Sequence, residues 1–276
     1  MTGSRVIHTG QAVVDLVMQI GAIPEPGGDT FARSYELAAG GGFNVMAAAA
    51  RDGAAVVYVG GHGTGTFGDL ARAAMSAEGV RVLAAPDPQC DTGFSVALVD
   101  DHAERTFIST LGAEGRVVAD QYRLAVPTAA DVVYVSGYSL LHPANRAALL
   151  TWLPALPEVT RVVVDPSPVV GEVPLDVLRA VAARATVWST NAREARIVAE
   201  RIGCLATASG LAASLGCTVI LRDGGRGSVV AVRDSSSGDI AAEVSVPALD
   251  VVAVDTNGAG DAHCGVLCAA LAAGQD

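Results

Sequence analysis

Short runs of β-branched and aromatic residues recur along the whole chain, and they constrain the fold more than any other feature. Most of these runs are continuously apolar, as in AAVVYVGG, DVVYVSG, RVVVDPS and TVILRDGG. Alanine- and leucine-rich segments of helical composition, such as DLARAAMSAEG and ANRAALLTWL, separate them. Strands that alternate with helices predict a parallel sheet, and strands without apolar–polar alternation predict helices on both faces of it. The sequence therefore predicts an α/β fold with a three-layer, doubly wound, mostly parallel sheet.

Two stretches depart from this rhythm, at about 11–39 and 91–110. Both alternate apolar and polar residues, which is typical of strands with one exposed face. We expect them to form a small accessory β sheet. The chain has no internal repeat, and its only linker-like composition is the short DSSSGD at 234–239, so residues 1–276 are predicted to form a single domain.

Charge limits the classes of partner. All 18 basic residues are arginines, and 29 acidic residues give a net charge of -11, which repels phosphodiester backbones and anionic lipid headgroups. We therefore expect neither nucleic acid nor a membrane as a partner. The uncharged run at 202–221 is interrupted by glycine, serine and threonine and predicts a short helix followed by a strand. An acidic chain can still bind a phosphorylated ligand where backbone amides or a metal ion reverse the local potential.

The cysteine pattern and the first residues of the chain indicate in which cellular compartment the protein is expected. Five cysteines without CxxC spacing argue against a disulfide framework and against a zinc knuckle. The first residues, MTGSRVIHTG, lack an apolar core of signal-peptide length. Reduced thiols and a cytoplasmic location are the expectation.

The segment VAVDTNGAGDAHCGVLCAALAAG carries the strongest chemical signal. Gly258, Ala259 and Gly260 directly precede a helical run, so several N–H groups can converge on one point where the helix N-terminus adds positive charge. Such an anion hole can hold a phosphoryl group while Asp261 takes a proton from a hydroxyl. The spacing alone is equally compatible with a tight turn in which Asp261 merely caps the helix.

The string DTNGAGD resembles the DTxGAGD motif of the ribokinase-like (PfkB-type) carbohydrate kinases, and further segments follow in the family's order over most of the chain. The resemblance implies a ribokinase-like domain in which the small sheet is a lid. It also implies transfer of the γ-phosphoryl group of ATP to a hydroxyl of a sugar or sugar-like substrate. Asp261 would be the catalytic base, Gly258 to Gly260 the anion hole, and Asp255 part of a monovalent-cation (K⁺) site.

The resemblance also implies a substrate site near the N-terminus. GQAVVD resembles the family's first strand ending in a sugar-binding aspartate, here Asp15. AGGGFNVMAAAARDG resembles the GGxxxN segment and would place Gly40, Gly41 and Asn44 against substrate hydroxyls. A carboxylate and an amide with glycine neighbours are well suited to vicinal hydroxyls, because glycine permits close approach.

Two further segments resemble the family's nucleotide-binding elements. STNAREA resembles the NxxE motif, in which Asn191 and Glu194 would reach Mg²⁺ and its waters. VILRDGGRG resembles the nucleotide loop, with Gly224 and Gly227 on its glycines and Arg222 where the family usually has threonine. That position is compatible with a phosphate-facing cation and equally with a solvated strand end.

The chain departs from the family pattern in several places. RVVVDPSP matches the strand that carries an aspartate near the phosphate channel, here Asp165, but Val169 stands about where many sugar kinases have a basic residue. Gly65 stands where the family commonly has aspartate. LAAGQD comes soon after the helix behind the anion hole, whereas family members continue through helices that close the adenine side. The resemblance therefore implies that the C-terminal end of the domain is truncated.

Other functions remain open from the sequence. Gly63, Gly65 and Gly68 form a GxGxxG between AAVVYVGG and a helix, with Asp87 after the next strand, which is the pattern of an NAD-binding oxidoreductase. Within the family's scaffold, a nucleoside kinase and a degenerate kinase that only senses a sugar are alternatives. Lids in this family often pair between subunits, so a homodimer through the lid is compatible with the resemblance.

Overall fold

The structure is a computed structural model and describes residues 3–102, 104–234, 237–252 and 256–275. The strands are, in chain order, β1 (Arg5–His8), β2 (Ala12–Gln19), β3 (Ser34–Gly41), β4 (Ala55–Tyr58), β5 (Arg81–Val82), β6 (Phe94–Val99), β7 (Arg105–Ser109), β8 (Val132–Ser136), β9 (Arg161–Asp165), β10 (Val187–Asn191), β11 (Thr218–Arg222), β12 (Ser228–Arg233) and β13 (Ile240–Val246).

The helices are α1 (Gly42–Arg51), α2 (Thr66–Ala77), α3 (Ala119–Arg123), α4 (Gly137–Leu141), α5 (Pro143–Trp152), α6 (Leu175–Ala182), α7 (Ala192–Ile202), α8 (Ala208–Leu215) and α9 (Ala259–Ala272). Short 3₁₀ turns occur at Ala113–Gly115, Leu153–Ala155 and Gly224–Arg226. No helix within the described ranges is long and apolar enough to cross a membrane. The five cysteines, all of them described, are free.

The main sheet contains nine strands within the described residues, in the order β13-β12-β11-β10-β9-β8-β1-β4-β5. The strands from β11 to β5 are parallel, and β12 and β13 add an antiparallel edge. Every residue of β8 is buried, which explains why its sequence VVYVS shows no alternation. The predicted α/β fold with a mostly parallel sheet is confirmed.

Helices cover both faces of the main sheet. Successive side chains of a strand point to opposite faces, and β8 shows this directly. Val133 and Val135 belong to a core cluster with residues of α5 to α8, whereas Val132 and Tyr134 belong to a second cluster with residues of α1, α2 and α9. Helix α9, which carries the glycine-rich motif at its start, is therefore anchored to the main sheet beside α1.

A small sheet of four strands stands beside the main sheet, in the order β3-β2-β6-β7. Its strands lie in the two stretches whose alternation predicted an accessory sheet, except that β3 continues two residues past 39, to Gly41. Only Thr9, Gly10 and Gln11 separate the end of β1 from the start of β2. The small sheet therefore rises directly from the carboxyl edge of the main sheet, which is where parallel α/β folds bind their ligands.

The turn before α2, where Gly65 replaces the family's usual aspartate, is held by a distant carboxylate. The backbone N–H groups of Gly65 and Gly68 donate to Oδ1 of Asp91 at 3.0 and 2.8 Å, and that of Phe67 donates to Oδ2 at 3.1 Å. Burial opposes ionisation of Asp91, but these backbone N–H donors outweigh it and lower its pKa. The amides that a pyrophosphate would need in a dinucleotide site are thus occupied by the protein's own carboxylate.

Candidate active site

A cavity of about 690 Å³ opens between the small sheet and the carboxyl ends of β8 to β11. The residues singled out from the sequence that line it are Asp15, Gly41, Asn44, Asp165, Asn191, Glu194, Arg222, Gly258, Ala259, Gly260 and Asp261. Gly40, Gly224 and Gly227 do not line it, and Asp255 lies outside the described residues. Residues far apart in the chain thus meet in one place.

Asp15 approaches the cavity from the middle of β2 in the small sheet. Burial raises the pKa of its carboxyl group. Gly40 lies behind this carboxylate, because a Cβ atom at Gly40 would come within 1.9 Å of Asp15 Oδ2. Gly40 therefore makes room for the side chain of Asp15, and it does so without facing the cavity itself.

The glycine-rich segment forms the start of α9 and faces the same cavity. Gly258 adopts a left-handed conformation with φ of 70°, which favours glycine, and serves as the N-cap. Gly260 and Asp261 lie in the first turn, where N–H groups have no intrahelical acceptor and the helix dipole adds positive charge. This geometry can hold an anionic group at the helix start.

Asp261 is the acidic residue at this helix start. Its Oδ2 accepts a hydrogen bond of 3.2 Å from Nδ2 of Asn44, which lies in α1. Burial raises the pKa of Asp261 to about 6; the bond from Asn44 lowers it, and the nearby charge of Asp165 raises it again. A carboxylate with a pKa this close to neutrality can accept a proton from a substrate hydroxyl more readily than an ordinary aspartate.

Arg222 forms the centre of a buried charge cluster at the end of β11. Its Nη2 donates to Oδ2 of Asp165 at 3.0 Å and lies 3.9 Å from Oε2 of Glu194. Burial opposes the charge of Arg222, but the carboxylates of Asp165 and Glu194 outweigh it and raise its pKa. Because the side chain is 13% exposed, it is not a solvated strand end.

The guanidinium of Arg222 also borders the helix start. A Cβ atom at Gly260 would lie 2.6 Å from Nη1 of Arg222, so the glycine leaves room for the arginine. Asp165 receives two further hydrogen bonds, from the N–H of Ser167 at 2.8 Å and from Sγ of Cys264 at 3.3 Å. The cation is thus fixed next to the first turn of α9.

Asn191 and Glu194 begin helix α7 as a capping box. The side-chain oxygen of Asn191 accepts from the N–H of Glu194, and Oε2 of Glu194 accepts from the N–H of Asn191 at 2.9 Å. Burial, reinforced by the charge of Asp165, raises the pKa of Glu194. The NxxE spacing therefore satisfies a helix terminus first, and the same two side chains line the cavity.

The oxygen atoms here suit a magnesium ion that is held partly through water. No group of three or more His, Cys, Asp or Glu side chains within the described ranges is arranged as a metal cage. Mg²⁺ commonly uses one or two carboxylates, several waters and phosphate oxygens instead. Glu194 and Asp165 offer such carboxylates at the cavity wall.

Gly224 and Gly227 form the turn between β11 and β12. Both have positive φ, of 55° and 89°, and a Cβ atom at Gly227 would come within 2.0 Å of the carbonyl oxygen of Val246 at the end of β13. In this structure these glycines allow a tight turn and close packing of the sheet edge, and they do not reach the cavity.

Several lining residues were not singled out from the sequence. Ser136 ends β8, and Tyr138 and Ser167 follow the carboxyl ends of β8 and β9; the hydroxyls of the two serines lie 3.2 Å apart. Phe107 reaches the cavity from β7 of the small sheet. The signal that could have found the first three is their place directly after buried parallel strands, where α/β folds bind ligands.

Comparison with known proteins agrees with this geometry. A family model described as pfkB family carbohydrate kinase matches residues 5–276. The chain belongs to the pfkB family of carbohydrate kinases. It is 30% identical over 278 residues to the Escherichia coli (strain K12) protein "Uncharacterized sugar kinase YegV", covering 99% of this chain and 84% of that protein.

Solved structures share the fold. A ribokinase from Thermotoga maritima matches with a TM-score of 0.78 at 18% identity, covering 99% of this chain and 87% of the other. An adenosine kinase from Sinorhizobium meliloti matches with a TM-score of 0.80 at 21% identity, covering 100% and 89%. The predicted family, the ribokinase-like fold and its ATP-dependent kinase class are confirmed. The NAD-binding interpretation of the GxGxxG is wrong, because the N–H groups of Gly65 and Gly68 donate to Asp91 and the family is a kinase family.

Proposed function

We propose that this protein transfers the γ-phosphoryl group of ATP to a hydroxyl of a neutral sugar or sugar-like substrate, with Asp261 as the catalytic base. The observation that carries the proposal is the placement of Asp261. Its carboxylate lies in the first turn of α9, faces the cavity, is held by Asn44, and has a pKa raised to about 6. A group that must take a proton near neutral pH needs this combination of position and pKa.

Asp15, Asn44 and Gly41 bind the acceptor in this proposal. Asp15 and Asp261 both face the cavity, so an anionic acceptor would be repelled by two carboxylates, whereas a neutral polyol can donate hydrogen bonds to them. Gly40 supports this role from behind, because it leaves the space that the Asp15 carboxylate occupies.

The chemical step follows from this arrangement. Asp261 accepts the proton of the acceptor hydroxyl as its oxygen bonds to the γ-phosphorus, and the bond from that phosphorus to the bridging oxygen of ADP breaks. The N–H groups at the start of α9 and the guanidinium of Arg222 stabilise the negative charge on the transferring oxygens. These groups are in place before the reaction, so they require little reorganisation.

Mg²⁺, when bound, would neutralise phosphate charge, and Glu194 with Asp165 would hold it directly or through water. Asn191 keeps Glu194 in position through the capping box. A K⁺ site at Asp255 is proposed on the family resemblance alone, since that residue lies outside the described ranges.

A nucleoside is the second candidate acceptor, because the cavity also presents aromatic surface. Phe107 and Tyr138 line the cavity with substantial exposure, and an aromatic ring can stack on a nucleobase. A panel of pentoses, hexoses, sugar acids and nucleosides, assayed by coupled ADP release, separates the two candidates. Turnover of sugar acids above neutral sugars would contradict the neutral-substrate proposal.

The substitution Asp261→Asn tests the mechanism. Asparagine keeps the size of aspartate but cannot accept the proton, so kcat should fall by about 10²- to 10⁴-fold while calorimetric affinities for sugar and ATP change little. Asp176→Asn is a matched control, because Asp176 also lies in the first turn of a helix but does not line the cavity. If Asp261→Asn keeps more than about a tenth of the kcat, the proposed role of Asp261 is wrong.

We also infer a homodimer through the small sheet. Tyr35, Leu37 and Ile108 are exposed and fall on one face of it, since Leu16 pairs with Leu37 and Val96, and Val96 pairs with Ile108. Contiguous exposed apolar side chains are typical of protein interfaces. Sedimentation equilibrium should give a dimer that Ile108→Asp dissociates; a monomeric parent protein would contradict the inference.

A further inference from the structure

A row of polar side chains crosses the small sheet on the face that borders the active-site cavity. Asp15 of β2 pairs with Ser95 of β6, and Ser95 pairs with Ser109 of β7. Residues that lie opposite each other in neighbouring strands project to the same face of a sheet, and all three residues line the cavity. We call these three residues the Asp15 row.

The two serines of the Asp15 row are joined by a hydrogen bond. Their Oγ atoms lie 2.9 Å apart, and either hydroxyl can be the donor. Ser95 is 7% exposed, whereas Ser109 is exposed, so Ser109 presents the pair to the cavity and Ser95 holds its hydroxyl in place. The bond between the serines uses one of their two hydroxyl protons, so the pair keeps a donor and free lone pairs for a ligand.

The side chains that flank the Asp15 row are apolar. Val13 and Phe107 lie two residues from Asp15 and Ser109 along their strands, on the same face, and both line the cavity. A few polar groups between apolar walls fix the orientation of a ligand in a pocket. A sugar matches this pattern, because its ring faces carry C–H groups and its rim carries hydroxyls that both donate and accept hydrogen bonds.

The width of the Asp15 row restricts which hydroxyls it can bind. Strand β6 separates β2 from β7, so Asp15 and Ser109 stand about 10 Å apart across the sheet. Even if both hydrogen bonds lean inwards, sugar oxygens that reach both side chains must be more than about 4 Å apart. Hydroxyls on adjacent ring carbons are closer together than this.

We propose that Ser109 determines substrate specificity by binding a second hydroxyl of the sugar acceptor, on a carbon that is not adjacent to the carbon whose hydroxyl Asp15 binds. This inference rests on the proposed function, which places the acceptor at Asp15.

Calorimetric titration with two cyclic polyols, in the absence of nucleotide, tests the inference. The first probe, myo-inositol, carries a hydroxyl on every ring carbon and can reach both ends of the row. The second, cis-1,2-cyclohexanediol, carries a single adjacent pair and can reach only one end. Ser109→Ala should raise the Kd for myo-inositol about three- to tenfold, as expected for one neutral hydrogen bond, and leave the Kd for the diol unchanged. Asp15→Ala should raise both Kd values, because both probes use that carboxylate.

Thr106→Val is the matched control. Thr106 is exposed in β7 as Ser109 is, but it pairs with Leu98 on the opposite face of the small sheet and does not line the cavity. Valine keeps the shape of threonine without its hydroxyl, so both Kd values should equal those of the wild type.

The proposal is overturned if myo-inositol shows no saturable binding, if Asp15→Ala leaves both Kd values unchanged, or if Ser109→Ala leaves the Kd for myo-inositol unchanged. It is also overturned if Ser109→Ala weakens both polyols equally, or if Thr106→Val has the same effect as Ser109→Ala. The titrations measure binding without ATP. Absence of ADP release from every compound of the substrate panel would contradict the kinase function instead, and it would leave the polyol affinities unaffected.

Discussion

The buried pair of Arg222 and Asp165 allows a quantitative test of how the active-site charges are held. The substitution Arg222→Met keeps most of the side-chain volume and removes the charge. The side chains of Arg222 and Asp165 are 13% and 9% exposed, so the substitution leaves a carboxylate that water reaches poorly. Removing one partner of a buried pair costs about 3–5 kcal/mol. Asp165 keeps its bonds from Ser167 and Cys264, so we expect a loss near the lower end, about 3 kcal/mol.

The double variant Asp165→Asn/Arg222→Met should be more stable than Arg222→Met alone. With both charges removed, no uncompensated charge remains buried, and the coupling between the two substitutions should be about 2–3 kcal/mol. Arg226→Met is the matched control. Arg226 pairs with Asp223 at 2.7 Å, a shorter distance than in the buried pair, but its side chain is 80% exposed, and we expect no measurable change in stability.

Urea unfolding followed by far-ultraviolet circular dichroism measures these free energies, with all variants at one pH and fitted with the same m value, the slope of the unfolding free energy against urea concentration. The reasoning is refuted if the single substitutions add in the double variant, because burial would then not be the source of the cost. It is equally refuted if Arg226→Met destabilises the protein as much as Arg222→Met does.

Three further outcomes are expected. Gly40→Ala places a Cβ where the Asp15 carboxylate lies, so in steady-state assays the KM for the acceptor should rise about tenfold or more while the KM for ATP stays unchanged. An unchanged acceptor KM would contradict the role given to Asp15. The pKa of Asp261 is raised to about 6 and its ionised form is the base, so kcat/KM should increase as pH rises through 6 and then level off, whereas an inflection near pH 4 would exclude this base. Asp91→Ala removes the acceptor for three N–H groups at the start of α2, and thermal unfolding should show a loss of about 1–2 kcal/mol in the free energy of unfolding. A melting curve equal to that of the wild type would mean that the turn does not need Asp91.

Much of the fold is predictable because its determinants are local. The unbroken apolar run of β8 already reports a strand buried on both faces, and the alternation in 91–110 already reports a half-exposed sheet. The helix start at Gly258 to Asp261 is likewise a local feature, since glycines and a following helix are adjacent in the chain. Interactions between residues that are close in the chain can be predicted, because they depend on residue types at a fixed local spacing.

Contacts between segments that are distant in the chain cannot be predicted from local spacing. Arg222 meets Asp165 because β9, β10 and β11 are neighbours in the main sheet, an order that no local pattern encodes. The N–H of Gly65 likewise donates to Asp91, which lies 26 residues further along the chain. The close approach of Gly227 to Val246 on another strand is likewise absent from any local pattern, and the place of Gly227 in a nucleotide loop stays a prediction.

The pairing of α1 with α9 has a consequence for synthesis of the chain. Val45 and Met46 of α1 and Cys264 and Cys268 of α9 share one core cluster, and about 200 residues separate the two helices. At translation rates of roughly 5–20 residues per second, α9 is synthesised on the order of 10–40 s after α1, and until then the apolar face of α1 has no α9 to pack against. During that interval the emerging chain exposes apolar surface that a chaperone can bind. The hydrogen bond from Asn44 to Asp261 forms only after α9 has been synthesised.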